Sequence, residues 1–163
     1  NAYDTNIFQG EMVAMVTGGG IEVHADGGTV PIVGVFNGCR YTDPTTGKET
    51  FSNYYPASTA AADIEAFVID DPMVVFEIQA DAIFPVADLF GNFDIVYTST
   101  GSTASGISKA ELDVTTGGTG TTLPIKAIDI SQDPNNSDVA TANTNVKVVI
   151  VNHIFGLGGV GLA

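Results

Sequence analysis

The chain has 163 residues, of which 19 are Asp or Glu and 5 are Lys or Arg, giving a formal charge of -14. A chain of this length suits one domain with a buried core. A surface this acidic repels nucleic-acid phosphates and anionic membranes, because affinity for both comes mainly from cationic side chains. No apolar run approaches the roughly eighteen residues of a membrane span. The sequence therefore predicts neither a nucleic-acid nor a membrane partner.

The first part of the chain indicates strands separated by glycine-rich loops. Residues 1–11 are polar with scattered large apolar side chains, so we predict an extended N-terminal arm. Residues 12–16 form a short apolar strand, and the glycines that follow mark a loop. Residues 30–41 are rich in Val, Ile and Phe, which favour strands. The turn composition of residues 43–48 predicts a hairpin with the short segment that follows.

The stretch 64–81 carries the clearest strand pattern. Its side chains alternate with a period of two, which is the pleat of a half-buried strand. Glu65, Phe67 and Ile69 share one face of its first arm. The Asp-Asp-Pro sequence at 70–72 favours a turn, because proline restricts the residue before it and Asp bonds its own backbone. The sequence therefore predicts a hairpin with one wet face.

The second half of the chain continues with short strands between Ser, Thr and Gly loops. Residues 85–90 suit a single helical turn, and further strands are predicted at 94–97, 109–114, 123–130 and 146–155. Roughly nine short strands without helical periodicity predict an all-β fold, a small antiparallel barrel or sandwich with at most one short helical turn. We divide the chain into an N-terminal arm (1–11), a single β domain (12–155) and a glycine-rich C-terminal tail (156–163).

Three patterns suggest chemistry, and each lacks a necessary part. Residues 156–161 match G-x-G-x-x-G, but a dinucleotide site needs a helix directly after this motif. The acidic loop 131–144 lacks the glycine and the bidentate glutamate that an EF-hand requires. His24 and His153 are far apart in sequence and have no metal-binding spacing. We therefore predict a protein that is not an enzyme and has no metal or cofactor.

Several segments carry a resemblance to a known family. They read GVFNGCRY at 34–41, TGKETFSNYYPA at 46–57 and IEA…DDP…FEIQAD within 64–81. Together with the strand at 123–130, an Asp-Pro-Asn loop and a strand ending VIVNH, they are similar to small head proteins of tailed bacteriophages, many from marine and cyanobacterial hosts. The resemblance covers residues 34–155 and is most specific at 34–81.

The resemblance implies a capsid decoration, or cement, protein. Such a protein binds the outside of the phage head and stabilises the shell by bridging subunits of the major capsid protein. Its expected location is the outer surface of the virion, and its expected state is a homo-oligomer, of which a trimer is one arrangement. The acidic surface suits attachment outside the shell, where DNA is not the partner.

Apolar and aromatic residues of the arm and of the segment 51–55 are the candidate partner contacts, since aromatic residues are enriched at interface cores. These candidates are Tyr3, Ile7, Phe8, Phe51, Tyr54 and Tyr55. The aromatic residues could instead fill the core of this domain itself. Two other function classes stay open. One is a carbohydrate-binding or adhesive β-sandwich module on a tail fibre or cell surface, and the other is a filament subunit that polymerises by strand addition.

Overall fold

The computed structural model describes residues 3–97, 101–120 and 122–156 and is nearly all-β. Twelve short strands and one 3-10 turn (Val86–Asp88) lie in these residues. The strands are β1 (Ile7–Phe8), β2 (Met12–Val16), β3 (Gly20–Val23), β4 (Ile32–Thr42), β5 (Glu49–Ser52), β6 (Tyr54–Tyr55), β7 (Glu65–Ile69), β8 (Phe76–Gln79), β9 (Asn92–Val96), β10 (Glu111–Gly118), β11 (Ile125–Ile130) and β12 (Asn145–Ile150). The all-β prediction with a single helical turn is confirmed.

Two five-stranded antiparallel sheets form the body of the molecule. The first sheet has the order β3-β2-β4-β5, and β7 pairs with the other side of β4. The second sheet has the order β10-β9-β11-β12-β8. In the described part of the chain neither sheet closes into a barrel, and the arrangement is consistent with a β-sandwich. No helix there is long and apolar enough to cross a membrane.

The main core lies between the two sheets. Met12, Ile32 and Val35 of the first sheet pack against the second, which contributes alternate residues of its strands, such as Phe93 and Ile95. Alternation places these side chains on one face of each strand. At about 25 cal/mol for each Å² of apolar surface removed from water, their burial is the main stabilising contribution.

A second core covers the opposite face of the first sheet. It contains Val13, Val33, Phe36 and Cys39 from β2 and β4, and Ile7 packs against them. Successive residues of β4 therefore enter different cores. This is why residues 32–36 are all buried and read as a continuous apolar run rather than as an alternating one.

The predicted hairpin at 64–81 is wrong. Both of its arms are strands, but β7 pairs with β4 in the first sheet and β8 pairs with β12 in the second. Residues 70–75 carry the chain from one sheet to the other, with a turn in which the Met73 N–H donates to Asp71 Oδ1 at 2.9 Å. The period of two identifies a strand, but it does not identify the partner of that strand.

The hairpin between β4 and β5 is confirmed, with Thr42 opposite Glu49 and Cys39 opposite Ser52. Its turn is held by the carboxylate of Asp43, which accepts hydrogen bonds from the N–H groups of Thr45 and Thr46. The signal for this hairpin is local in sequence, unlike that for the partners of β7 and β8.

The structure describes most of the predicted N-terminal arm but only the first residue of the predicted C-terminal tail. Residues 3–11 of the predicted arm contribute β1, which pairs with β6 through Ile7 opposite Tyr55 and Phe8 opposite Tyr54. The predicted tail at 156–163 lies outside the described residues except for Gly156. The N-terminal segment is thus part of the packed domain from Tyr3 onward.

Candidate partner-binding surface

Strand β7 is the least covered strand of the molecule. Four of its five residues are exposed, and Val68 is half-buried. Phe67 and Ile69 are 40% and 38% exposed, which is unusual for large apolar side chains in a regular strand. One edge of β7 pairs with β4, while no strand among the described residues pairs with the other. The strand is therefore accessible on both faces and along one edge.

One face of β7 continues onto β4 and β5 and is called the outer face. It carries Phe67, together with Glu65, Arg40 and Phe51, which lie opposite one another across the three strands. Phe51 is 68% exposed. The guanidinium of Arg40 donates to Glu65 and, through Nη1 at 2.9 Å, to Glu49. Exposed ion pairs contribute little to stability, so their main effect is to neutralise the arginine between two exposed phenylalanines.

The outer face is an extension of a buried face. Val35 of β4 lies in the main core and is paired with Ile69 of β7. Five residues further along β4, Arg40 lies on the same side, because an irregularity between Phe36 and Cys39 shifts the alternation by one residue. Arg40 is exposed, and no residue of β4 beyond Val35 contributes to the main core. Part of the first sheet thus presents, without a covering layer, the face that is a core face elsewhere.

The opposite face of β7 borders an open apolar groove of about 960 Å³. We call it the groove. Phe36 and Cys39 of β4 lie along it, Ala66 and Val68 of β7 line one side, and the β2–β3 turn lines another. Burial raises the pKa of the Cys39 thiol to about 11, so the cysteine stays protonated and is not a nucleophile at neutral pH. The groove offers apolar contact rather than chemistry.

Three of the six predicted contact residues are buried inside this chain. Ile7 lies in the second core, and the ring of Phe8 stacks on that of Tyr54 with centroids 5.6 Å apart. Tyr55 is also buried, and its hydroxyl donates to the carbonyl oxygen of Tyr3 at 3.1 Å. In the folded chain these residues hold the N-terminal segment to the domain.

The remaining predicted contacts are placed differently. Tyr3 and Tyr54 are half-buried, and Phe51 is well exposed on the outer face. Sequence reasoning did not identify Phe67 and Ile69 as exposed apolar residues. The sequence does contain a signal for this exposure. Glu65, Phe67 and Ile69 are two residues apart and share one strand face, so a charged residue lies on the same face as two large apolar ones. Whether that face is covered depends on the second sheet, which alternation does not reveal.

A group of buried titratable residues lies away from this surface. The Phe8 N–H donates to Glu11 Oε2 at 2.7 Å, and burial raises the pKa of Glu11 to about 7. Burial lowers the pKa of His24, whose Nε2 lies 3.0 Å from the Val30 carbonyl oxygen and whose Nδ1 has no partner. Burial raises the pKa of Asp94. Within the described ranges no three His, Cys, Asp or Glu side chains are placed to hold a metal ion.

His153 is the second buried histidine. Its Nδ1 accepts a hydrogen bond from the Phe155 N–H at 3.1 Å, and its Nε2 has no partner. Burial lowers its pKa, although the nearby carboxylates of Asp70 and Asp71 act in the opposite direction. His153 is thus a packed histidine whose backbone forms a bridge with Ile32 at the start of β4.

Comparison of the chain with protein-family models, with curated proteins and with solved structures found no match. The surface is therefore characterised by its own chemistry. It consists of an apolar strand with a free edge, a partly apolar outer face on one side and an apolar groove on the other. Such a surface suits association with another macromolecule.

Proposed function

We propose that the chain is a structural protein that decorates a bacteriophage head, binding the outside of the shell and bridging subunits of the major capsid protein. The observation that carries this proposal is the exposure of β7 in a sandwich whose other apolar strands are well covered. Large contiguous apolar surface is rare on soluble monomers and usually marks an interaction site. The segment 34–81, where the resemblance to phage head proteins is most specific, contains most of β4 and all of β5 to β8, and so includes the exposed strand β7.

The charge of the molecule supports an attachment from outside the shell. A formal charge of -14 keeps an abundant surface protein soluble and disfavours contact with DNA. Arg40, the one cation of the outer face, is already paired with Glu49 and Glu65. The matching surface of the shell is therefore expected to be apolar with neutral or basic surroundings.

Co-sedimentation with mature, undecorated capsids of a phage that encodes this chain tests the proposal. The bound copies per shell should saturate at a fixed number per capsomer, and the melting temperature of the shell should rise. Phe67→Ser should weaken binding roughly tenfold, since a central aromatic contact is removed. Phe90→Ser, an equally large change at an exposed phenylalanine near the 3-10 turn, is the matched control. Absence of saturable binding by the unaltered protein would refute the decoration role.

A second candidate function is a filament subunit, and the free edge of β7 is the observation that favours it. An unprotected strand edge can accept a strand from another copy. Analytical ultracentrifugation separates the two proposals, because a filament subunit forms open-ended, concentration-dependent polymers. A decoration protein is expected instead as a monomer or a closed oligomer such as a trimer. The carbohydrate-binding alternative depends on an exposed pair of tyrosines, and Tyr55 is buried.

A further inference from the structure

The free edge of β7 lacks the devices that usually protect a strand edge. Natural edge strands carry charges, proline or bulges, which hinder pairing with another chain. The only charged residue of β7 is Glu65 at its beginning, and it is held on the outer face by Arg40. The remaining residues are Ala66, Phe67, Val68 and Ile69. The edge therefore presents unpaired backbone groups without an obstacle to an incoming strand.

A strand added to this edge would contact both exposed faces of β7. Paired strands lie about 4.8 Å apart and direct alternate side chains to opposite faces. One set of side chains of the incoming strand would lie beside Phe67 and Ile69. The other set would lie beside Ala66 and Val68, at the side of the groove. A groove of about 960 Å³ has room for several apolar side chains, since pockets for small ligands measure roughly 300–1,000 Å³.

The charge around the groove selects the occupant. Glu22 lines it, and so does part of Glu65, whose carboxylate is held on the outer face by Arg40. Among the described residues no lysine or arginine lines the groove. The carboxylate of Glu22 has no hydrogen bond or ion pair in the part of the chain that the structure describes. A Lys or Arg side chain of a partner would find a free carboxylate there. A second copy of this chain would instead bring a further charge of -14 to the same place.

We propose that β7 and the groove together receive an extended segment of a partner protein, apolar at alternate positions and flanked by Lys or Arg, which pairs with β7 as an additional strand. This inference rests on the proposed function, in which the segment belongs to a subunit of the shell. Backbone hydrogen bonds supply affinity in strand addition, and pockets for alternate side chains supply specificity.

The probe is the peptide acetyl-Lys-Val-Thr-Val-Thr-Val-Lys-amide, titrated into the ¹⁵N-labelled protein and followed by amide chemical shifts. Saturable shifts are expected for residues 64–69 and for Cys39. The same peptide with alternate backbone nitrogens methylated cannot complete the strand pairing, and it should not bind. A peptide with Glu in place of both Lys should bind more weakly, because it faces Glu22. Equal binding of the methylated peptide, or shifts confined to other parts of the chain, would overturn the proposal.

Two variants place the site on the groove side of β7. Ala66→Arg should weaken binding about tenfold or more, because the long side chain occupies the space of the incoming side chains beside the groove and its positive charge repels the Lys residues of the peptide. Ala140→Arg makes the same change at an exposed alanine of a distant loop and should bind like the unaltered protein. If Ala66→Arg fails to give a dispersed spectrum, Glu22→Lys replaces it and should reverse the preference between the Lys and Glu peptides. Unchanged preference in Glu22→Lys would contradict the assigned charge contact.

The peptide and capsid experiments test the strand site and the decoration role independently. Peptide binding at β7 without capsid binding would leave the strand site intact and refute the decoration role. Capsid binding that Ala66→Arg does not weaken would leave the decoration role intact and refute the strand site. Concentration-dependent self-association that Ala66→Arg abolishes would identify a second copy as the occupant and overturn the proposed partner.

Discussion

At the scale of single residues, Glu11 is a carboxyl group whose pKa is strongly raised by burial. It is almost completely buried, and within the described residues its carboxylate accepts a single hydrogen bond, from the N–H of Phe8. A buried carboxylate loses hydration that a single hydrogen bond does not replace, so its protonated form is favoured. The folded state therefore binds a proton more tightly than the unfolded state does.

Glu11→Gln is expected to stabilise the protein at pH 8 and to have little effect at pH 4. The folded pKa of Glu11 is raised from 4.5 to about 7, so its stabilising contribution is complete below pH 4.5 and is lost as the pH rises to 7. Gln keeps the acceptor for Phe8 and does not titrate. The gain at pH 8 should reach about 3 kcal/mol, at 1.36 kcal/mol for each pKa unit.

Urea denaturation at pH 4 and pH 8 measures this difference. Glu22→Gln makes the same change of charge at a half-buried carboxylate that has no partner among the described residues, and it is the control. A Glu11→Gln variant that is less stable than the unaltered protein at pH 8 would mean that the ionised carboxylate stabilises the fold.

The two buried histidines should titrate below pH 6.5. Burial is the largest influence on both and lowers the pKa of His24 and of His153. A lowered folded pKa means that the stability they contribute is present above pH 6.5 and is lost as the pH falls toward the folded pKa. The imidazole Cε1–H resonances, followed from pH 8 to pH 5, report the titration directly. Half-protonation of either histidine at or above pH 6.5 would contradict the burial.

At the scale of elements, β4 organises the first sheet because it pairs with β2, β5 and β7. Its contact with β7 is close at Gly34, which has φ +154°. A Cβ atom there would lie 2.2 Å from the carbonyl oxygen of Ile69. Only glycine allows the two backbones to approach this closely. The position of the exposed strand thus depends on one residue without a side chain.

Gly34→Ala is expected to destabilise the protein by about 1–3 kcal/mol, as overpacking in a tight contact does. Gly47→Ala is the matched control, since it also has positive φ but has no atom within 4 Å of the added Cβ. Urea denaturation of both variants separates the steric contact from the cost of the backbone conformation. Equal losses of unfolding free energy in the two variants would show that β7 moves away from the added methyl group at no energetic cost.

The sequence predicts some elements better than others. The difference depends on the distance along the chain between the residues that pair. The β4–β5 hairpin is predictable because Asp43 and its turn lie between the paired strands. The partners of β7 and β8 are not predictable in this way. Strand β7 pairs with β4 rather than with the neighbouring β8, and β8 pairs with β12, which lies far along the chain. Strands β1 and β6 have two residues each, which is too short to show a period. For the candidate surface, Phe51 is predictable from its chemistry, whereas the exposure of Phe67 depends on how far the second sheet extends.

At the scale of the whole molecule, the two sheets cover one another only in part. The main core fills the space between them, while the outer face and the groove leave β7 exposed on both sides. The composition predicts an acidic domain and the strand pattern predicts an all-β fold, and the structure adds the place where apolar surface remains uncovered. We therefore expect a partner to cover β7 in the assembled state.

Hydrogen–deuterium exchange of the protein, free and bound to capsids, tests that claim most directly. Amide exchange is slow where backbone groups are hydrogen-bonded and protected from opening. The amides of residues 64–69 should exchange more slowly in the bound protein, because the free edge of β7 becomes paired, while those of β10 at the far edge of the second sheet should be unchanged. Protection that spares 64–69 and appears elsewhere would contradict the assignment of β7 as the partner-binding surface.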